Sequence, residues 1–474
     1  MSHDLPSIRE PERQQLQEAQ PEHRLAALER IWRRFGDEDM LLKRGGRINE
    51  VTPTHYKVRG LSEFARLGDV VEQRGQAGTR RGEVVKINRD EIVVAPFERS
   101  ADAGIGDAVF RRGPLTVTPH TSWRGRAIDA LTRAIDGGPP LVRGGGTPAD
   151  AATTPGAMSR QRVGTAFMTG VKVIDIFTPL CLGQRLGVFA GSGVGKSTLL
   201  AMLAGADAFD TVVVALIGER GREVREFLED TIGESMAKTV AVVATSDESA
   251  MMRRRAPDTA MRVAEHFRDQ GHRVLLVLDS ITRFAHALRE VATGTGEPPV
   301  ARGYPASVFT ELPKLLERAG PGAEGPGLEG RGSITAIISV LVDGDDHNDP
   351  VADSVRGILD GHVVLDRTIA EQGRYPPVNP LSSISRLAGK AWSPEQRALV
   401  TRLKSMISRF EDTRDIRLLG AYQGGVDAEL DIAVRQVPLI YEALTQSPKD
   451  RPSADPFSDL ARHLKGKQNV DAGD

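Results

Sequence analysis

Cysteine is nearly absent from this sequence, Cys181 being the only one in 474 residues. A lone cysteine closes no intramolecular disulfide, which fits a reducing, cytoplasmic setting. Its surroundings, "PLCLGQRLGVFAG", are apolar, so it reads as a small buried hydrophobe rather than a nucleophile. Aromatic residues are scarce as well, at 5%, which argues against a base-stacking surface. Neither sign of charge dominates: 62 basic residues face 64 acidic ones, for a net charge of −2. A nucleic-acid binder usually carries a basic surplus, so no nucleic-acid partner is expected. No run of about 18 apolar residues occurs that could span a membrane. The opening "MSHDLPSIREPERQQLQ" lacks the apolar stretch of a secretory signal. What is present is an ordinary globular composition, 40% hydrophobic and 27% charged, in a chain long enough for two or three domains.

Four stretches follow one another. Residues 1–40 are charge-rich and read as helix, with Leu25, Leu28, Trp32 and Phe35 forming an apolar stripe at three- and four-residue steps. That stripe either packs on the body of the chain or docks a partner. Residues 41–114 change to short alternating runs such as "GDVVEQRG" and "GEVVKINRDEIVVAPFE". Period-two Val, Ile and Tyr between Gly, Pro and Asn turns predict a small antiparallel β-barrel. Residues 115–385 open on a Gly/Pro/Thr-rich surface connection at 138–165 and then alternate β and α segments. "RLGVFAG", "TVVVALIG", "TVAVVATS", "RVLLVLDS" and "SITAIISVLVDG" are the continuous apolar runs of a parallel sheet covered on both faces. Helices such as "APDTAMRVAEHFRDQG" lie between them, which predicts a doubly wound α/β domain. Residues 386–474 read as helical, ending in a polar, mobile stretch.

"AGSGVGKSTLL", residues 190–200, follows one of those strands and opens a helix. Gly191, Gly193 and Gly195 let the backbone of Ser192 and Val194 curl so that successive N–H groups face an anion. Lys196 can reach terminal phosphates, and the Ser197 hydroxyl, followed by Thr198, can ligate Mg²⁺. The usual pattern has Gly where this chain has Ala190. The loop alone leaves open whether phosphate is transferred, hydrolysed or merely held. "VLLVLDS" delivers Asp279 to the carboxyl end of a buried strand, where it can hold Mg²⁺ through water. "LIGERGRE" puts Glu219 and Arg220 at the same rim, the first able to polarise water and the second to orient it or the phosphate, although this stretch alone reads equally as a solvated charge cluster at a loop.

These motifs, with "GEPPVARGYPASVF", "DDHNDPVADSVRGILDGHVVLDR" and "RYPPVNPLSSISRLAG" in the same order, resemble the hexameric rotary-type ATPases. The likeness is strongest to the type III protein-export ATPases of flagella and injectisomes. The resemblance implies an N-terminal β-barrel, a RecA-like core and a C-terminal helical domain. It also implies ATP and Mg²⁺ as ligands, with Glu219 activating water, Lys196 and Ser197 on the phosphates and Mg²⁺, and Asp279 on the Mg²⁺ side. Arg386 in "SSISR" matches an arginine finger acting in trans, which requires a ring, expected to be a homohexamer. Tyr375 in "GRYPPVNP" matches the aromatic that packs on adenine, a merely structural tyrosine being the other reading. Implied partners are a stator-like regulator at the N-terminal helix, a membrane export gate at the cytoplasmic face of the inner membrane, export substrates and chaperones. The flagellar system comes before an injectisome. A non-catalytic ring subunit is the further alternative, against which Glu219 speaks. A ring-shaped RNA helicase is another, but Tyr56, Phe64, Phe97 and Phe110 are too scattered for an RNA platform.

Two other clusters carry less. "DGDDHNDPVAD" has acids at 343, 345, 346, 349 and 353, but the places where a calcium loop needs Gly and Glu hold Asn348 and Ser354. Arg253, Arg254 and Arg255 in "MMRRRAPD" read first as a solvated run at a helix start, and second as a patch for phosphate or an acidic partner.

Overall fold

Alternating apolar residues between glycine turns give six strands: β1 (Gly45–Val51), β2 (Tyr56–Arg59), β3 (Asp69–Gly75), β4 (Gly78–Ile87), β5 (Glu91–Pro96) and β6 (Ala108–Pro114). They pair antiparallel in the order β1-β2-β5-β4-β3-β6, and β6 closes on β1. One set of alternating side chains, among them Tyr56, Val58, Val71, Val84, Ile92 and Val94, fills the barrel. The molecule is seen in a computed structural model that describes residues 44–471 apart from 77, 99–102, 146–155, 157, 324–331 and 343–348. The N-terminal apolar stripe and the first three acids of the "DGDDHNDPVAD" stretch lie outside the described residues.

The main sheet is built from β7 (Arg126–Asp129), β8 (Arg185–Ala190), β9 (Thr211–Ile217), β10 (Thr239–Ala244), β11 (Arg273–Asp279), β12 (Ser333–Leu341), β13 (Gly361–Leu365) and β14 (Ile384–Ser385). Their order is β14-β13-β8-β12-β11-β9-β10-β7, with a ninth short strand, Gly320–Pro321, pairing off this path with β12. Every pairing from β13 to β7 is parallel, and β14 adds an antiparallel edge. Val213, Ala215 and Ile217 face one layer of helices, α2 (Ala250–Asp269), α3 (Ile281–Gly294), α4 (Ala306–Leu316) and α5 (Pro350–Ile358). Val212, Val214 and Leu216 face the other layer, which contains α1 (Lys196–Gly205). Burial on both faces is why these strands read as unbroken apolar runs. The second layer continues into the C-terminal helices α6 (Pro394–Asp412), α7 (Ala428–Leu444) and α8 (Pro456–Asp471) through Val400, Leu403, Ile407, Val437, Ile440 and Leu460. Cys181 is fully buried, as its apolar context predicts.

One expectation needs correction. Helix α2 begins at Ala250, six residues before the stretch read as helix, because Ser249 caps it by accepting from the Met252 N–H. The arginine triplet therefore lies inside the helix and is not a solvated run. Arg254 and Arg255 pair with Glu83 of the barrel at 3.4 and 2.6 Å, and Arg253 pairs with Glu290 at 2.9 Å. Helix α8 runs to residue 471, and Leu460 packs into the core.

Candidate active site

Strand β8 ends at Ala190, which pairs in register with Leu341 on one side and Leu365 on the other. The position where the loop pattern has glycine is thus an ordinary buried strand residue here, and Ala190 fits it without strain. The loop proper does need glycine: Gly193 and Gly195 have φ of +77° and +94°, the left-handed region that side-chain-bearing residues avoid. Val194 is buried beneath the loop, while Ser192, Gly193, Ser197 and Thr198 are exposed. Helix α1 starts at Lys196 with no side-chain cap on its first N–H groups, so those donors and the helix dipole suit an anion. Arg367 donates to the Ser192 carbonyl at 3.1 Å and ties the loop to the segment after β13.

Lys196 reaches across β12 to the neighbouring strand end. Its Nζ lies 2.5 Å from Asp279 Oδ1 and 3.6 Å from Glu219 Oε1. Asp279 ends β11 and is 3% exposed. Leu216 pairs with Asp279 in register, so Gly218 and Glu219 overhang the same rim. Gly218 has φ +71°, and a Cβ there would lie 3.1 Å from the Arg283 side chain. Burial pushes the Glu219 carboxyl above its ordinary value; Asp279 and Glu223 add to that, and Lys196 and Arg283 oppose it. A carboxylate so poised accepts a proton more readily than one in water. Ser197, Glu219, Glu223 and Asp279 line one open cleft of about 550 Å³. Among the described residues no group of three or more His, Cys, Asp or Glu could hold a metal unaided. The hydroxyl and carboxylates of this cleft are hard oxygen donors of the kind Mg²⁺ takes alongside phosphate and water.

Other residues singled out from the sequence lie around this centre. Tyr375 is 47% exposed, and its ring comes within 3.7 Å of the point where a Cβ on Gly195 would stand. Arg220 is exposed and pairs with Glu223 at 3.1 Å. Arg386 follows the edge strand β14, and its N–H donates to the Asp360 carbonyl at 2.9 Å. That places it at the amino end of β13, roughly 15 Å along the strand direction from the phosphate loop of the same chain. Asp349 is spent on capping α5 through the Val351 and Ala352 N–H groups. Sequence reasoning did not single out Arg283 or Arg367. Arg283 sits one turn into the helix after Asp279, a position the motif itself could have flagged; Arg367 has no local signal.

Comparison with known proteins agrees with this fold. The model of the ATP synthase alpha/beta family nucleotide-binding domain matches residues 170–385, and that of the T3SS EscN ATPase C-terminal domain matches residues 392–462. The flagellum-specific ATP synthase of Rhizobium meliloti (strain 1021) is 61% identical over 441 residues, 93% of this chain and 93% of that protein. The assembled ATPase EscN of the enteropathogenic E. coli type III secretion system superposes with a TM-score of 0.81 at 38% identity, over 88% of this chain and 100% of EscN. EscN in complex with its central stalk EscO gives a TM-score of 0.79 at 38% identity, over 88% of this chain and 100% of that one. No helix among the described residues is long and apolar enough to cross a membrane. A phosphate loop, a buried strand-end acid and a poised glutamate on this fold, with relatives of this identity, make the chain a nucleotide-binding ATPase that belongs to the family of flagellum-specific and type III secretion ATPases.

Proposed function

We propose that this chain hydrolyses ATP to ADP and phosphate as one subunit of a ring and so energises type III export of flagellar proteins. The observation that carries the reading is the ammonium of Lys196 standing between Asp279 and Glu219 at the carboxyl rim of the sheet. Lys196 and the N–H groups of residues 191–197 hold the terminal phosphates. Glu219 orients and deprotonates the attacking water. Ser197 and Asp279 hold Mg²⁺, which when bound neutralises charge on the phosphate oxygens. Tyr375 packs on adenine. Arg386, distant from its own loop, serves the site of a neighbouring subunit, where its guanidinium offsets charge growing on the transferred phosphoryl group. Arg220, tied to Glu223 at the mouth of the cleft, orients phosphate or water once that pair opens.

A ring, expected to be a hexamer, and a stalk partner are supported by the likeness to assembled EscN and to EscN with EscO. The regulator docked on the N-terminal helix, the export gate at the cytoplasmic face of the membrane, and the chaperones belong to the same reading. Flagellar rather than injectisome export is favoured by 61% identity to a flagellar relative against 38% to EscN. A deletion strain tests this: it should lose motility and secretion of flagellar subunits. Normal motility with loss of effector secretion would reverse the assignment.

A further inference from the structure

Tyr375 presents its ring to the phosphate loop, and about half of the residue stays exposed. Its backbone carbonyl is what is fixed: it accepts from the N–H of Gln446 at 2.8 Å. Gln446 is 3% exposed and stands two residues beyond the end of α7. Its side-chain amide is engaged at both ends. Nε2 donates to the Gly170 carbonyl at 2.7 Å, and Oε1 accepts from the Lys172 N–H at 3.1 Å. The Lys172 ammonium returns to the Ala443 carbonyl at 3.4 Å, near the end of α7. Val173, in the next position, lines a shallow open groove with Tyr375, Pro376, Tyr441 and Leu444. One buried residue, through its side-chain amide and its backbone N–H, therefore joins three separate parts of the chain: the C-terminal helices, the segment that enters the ATPase core, and the loop carrying the aromatic.

We propose that Gln446 is a positioning residue for nucleotide, holding Tyr375 over the phosphate loop so that the ring is ordered before ATP arrives. The proposal rests on the reading of Tyr375 as the residue that packs on adenine. Without the amide, residue 446 loses its anchor on Gly170 and Lys172, and the Tyr375 carbonyl loses a fixed donor. Part of the binding energy would then go into ordering the loop, which weakens ATP binding without touching the groups that act on phosphate.

The test uses the assembled full-length protein and reads KM and kcat for ATP separately. Gln446→Met, close in volume but without the amide, should raise KM about ten-fold with kcat changed less than about two-fold, the scale of losing one or two buried hydrogen bonds. Gln446→Asn, which keeps the amide one methylene short of its partners, should fall between Met and wild type. It carries the same readout if the Met variant fails to fold. In a Tyr375→Ala background, either change should raise KM less than about two-fold further. Equal effects of Gln446→Met with and without Tyr375, or a fall in kcat at unchanged KM, would overturn the proposal. Tyr375→Ala raising KM while Gln446→Met does nothing would overturn it alone and leave the adenine reading standing. Tyr375→Ala leaving KM unchanged would remove that reading and the proposal together.

Discussion

Lys196 and Glu219 share a rim but not a tight bond: 3.6 Å separates them, while Asp279 holds the same ammonium at 2.5 Å. Glu219 is thus the less tightly held of the two carboxylates beside the ammonium. Glu219→Gln should keep ATP binding and lower kcat by about 10²–10⁴-fold, the usual worth of a positioned base. Nucleotide titration beside steady-state turnover checks this, and a variant that loses both equally would mean that Glu219 serves binding instead.

The pH profile should carry the signature of that carboxylate. A base works ionised, so turnover is gained as pH rises through the Glu219 pKa, which burial places above the ordinary value. Arg283 favours the charged form and Glu223 opposes it. Arg283→Met should move the acid limb of kcat/KM to higher pH, and Glu223→Gln should move it lower. Shifts of the same sign in both variants would exclude Glu219 as the group titrating.

Gly218 makes a narrower point about aim. An alanine there meets both an unfavourable φ of +71° and the Arg283 side chain at 3.1 Å. Gly218→Ala should cost about 1–2 kcal/mol of stability and displace Glu219. Turnover should fall at least ten-fold while affinity for ATP holds; a thermal melt paired with kinetics separates the two losses.

Arg386 lies at the opposite end of β13 from its own phosphate loop. Arg386→Ala should abolish most turnover, by about 10³-fold or more. Mixing it with Glu219→Gln chains should restore part of the activity, because some seams then pair an intact glutamate with an intact arginine. Mixtures no more active than either parent would place Arg386 outside the site of its neighbour.

A different part of the molecule governs acid stability. Burial raises the Asp258 carboxyl, but Arg318, Arg262 and Arg255 outweigh it and hold the group at about 2, below its ordinary 3.8. Its contribution is thus present above about pH 4 and is lost as pH falls from there through about 2. Asp258→Asn should cost roughly 2–3 kcal/mol at neutral pH, somewhat under the figure for a fully buried pair because Asp258 keeps a quarter of its surface. It should also flatten the fall in melting temperature across that acid window.

How much of this was legible in the sequence depended on whether the signal was local. The apolar runs at 211–217, 239–244 and 273–279 announced a two-faced sheet, and alternation with glycine punctuation announced the barrel. Lys196, Asp279 and Glu219 could be grouped because each follows a strand, and parallel strands bring their ends to one rim. Arg253, Arg254 and Arg255 misled because their partners, Glu83 and Glu290, stand elsewhere in the chain. Pro257 hid the true start of α2, since proline reads as a first-turn residue although here it lies inside the helix. Gln446 has no motif at all, and its role follows only from what its amide touches.

Closure of the barrel by β6 on β1 also limits how copies of this chain can meet. No main-chain ladder is left open at that end, so an incoming segment cannot be stitched on as an extra strand. A neighbour that met the barrel there would be held by side chains and turns alone, with no backbone shared between the chains.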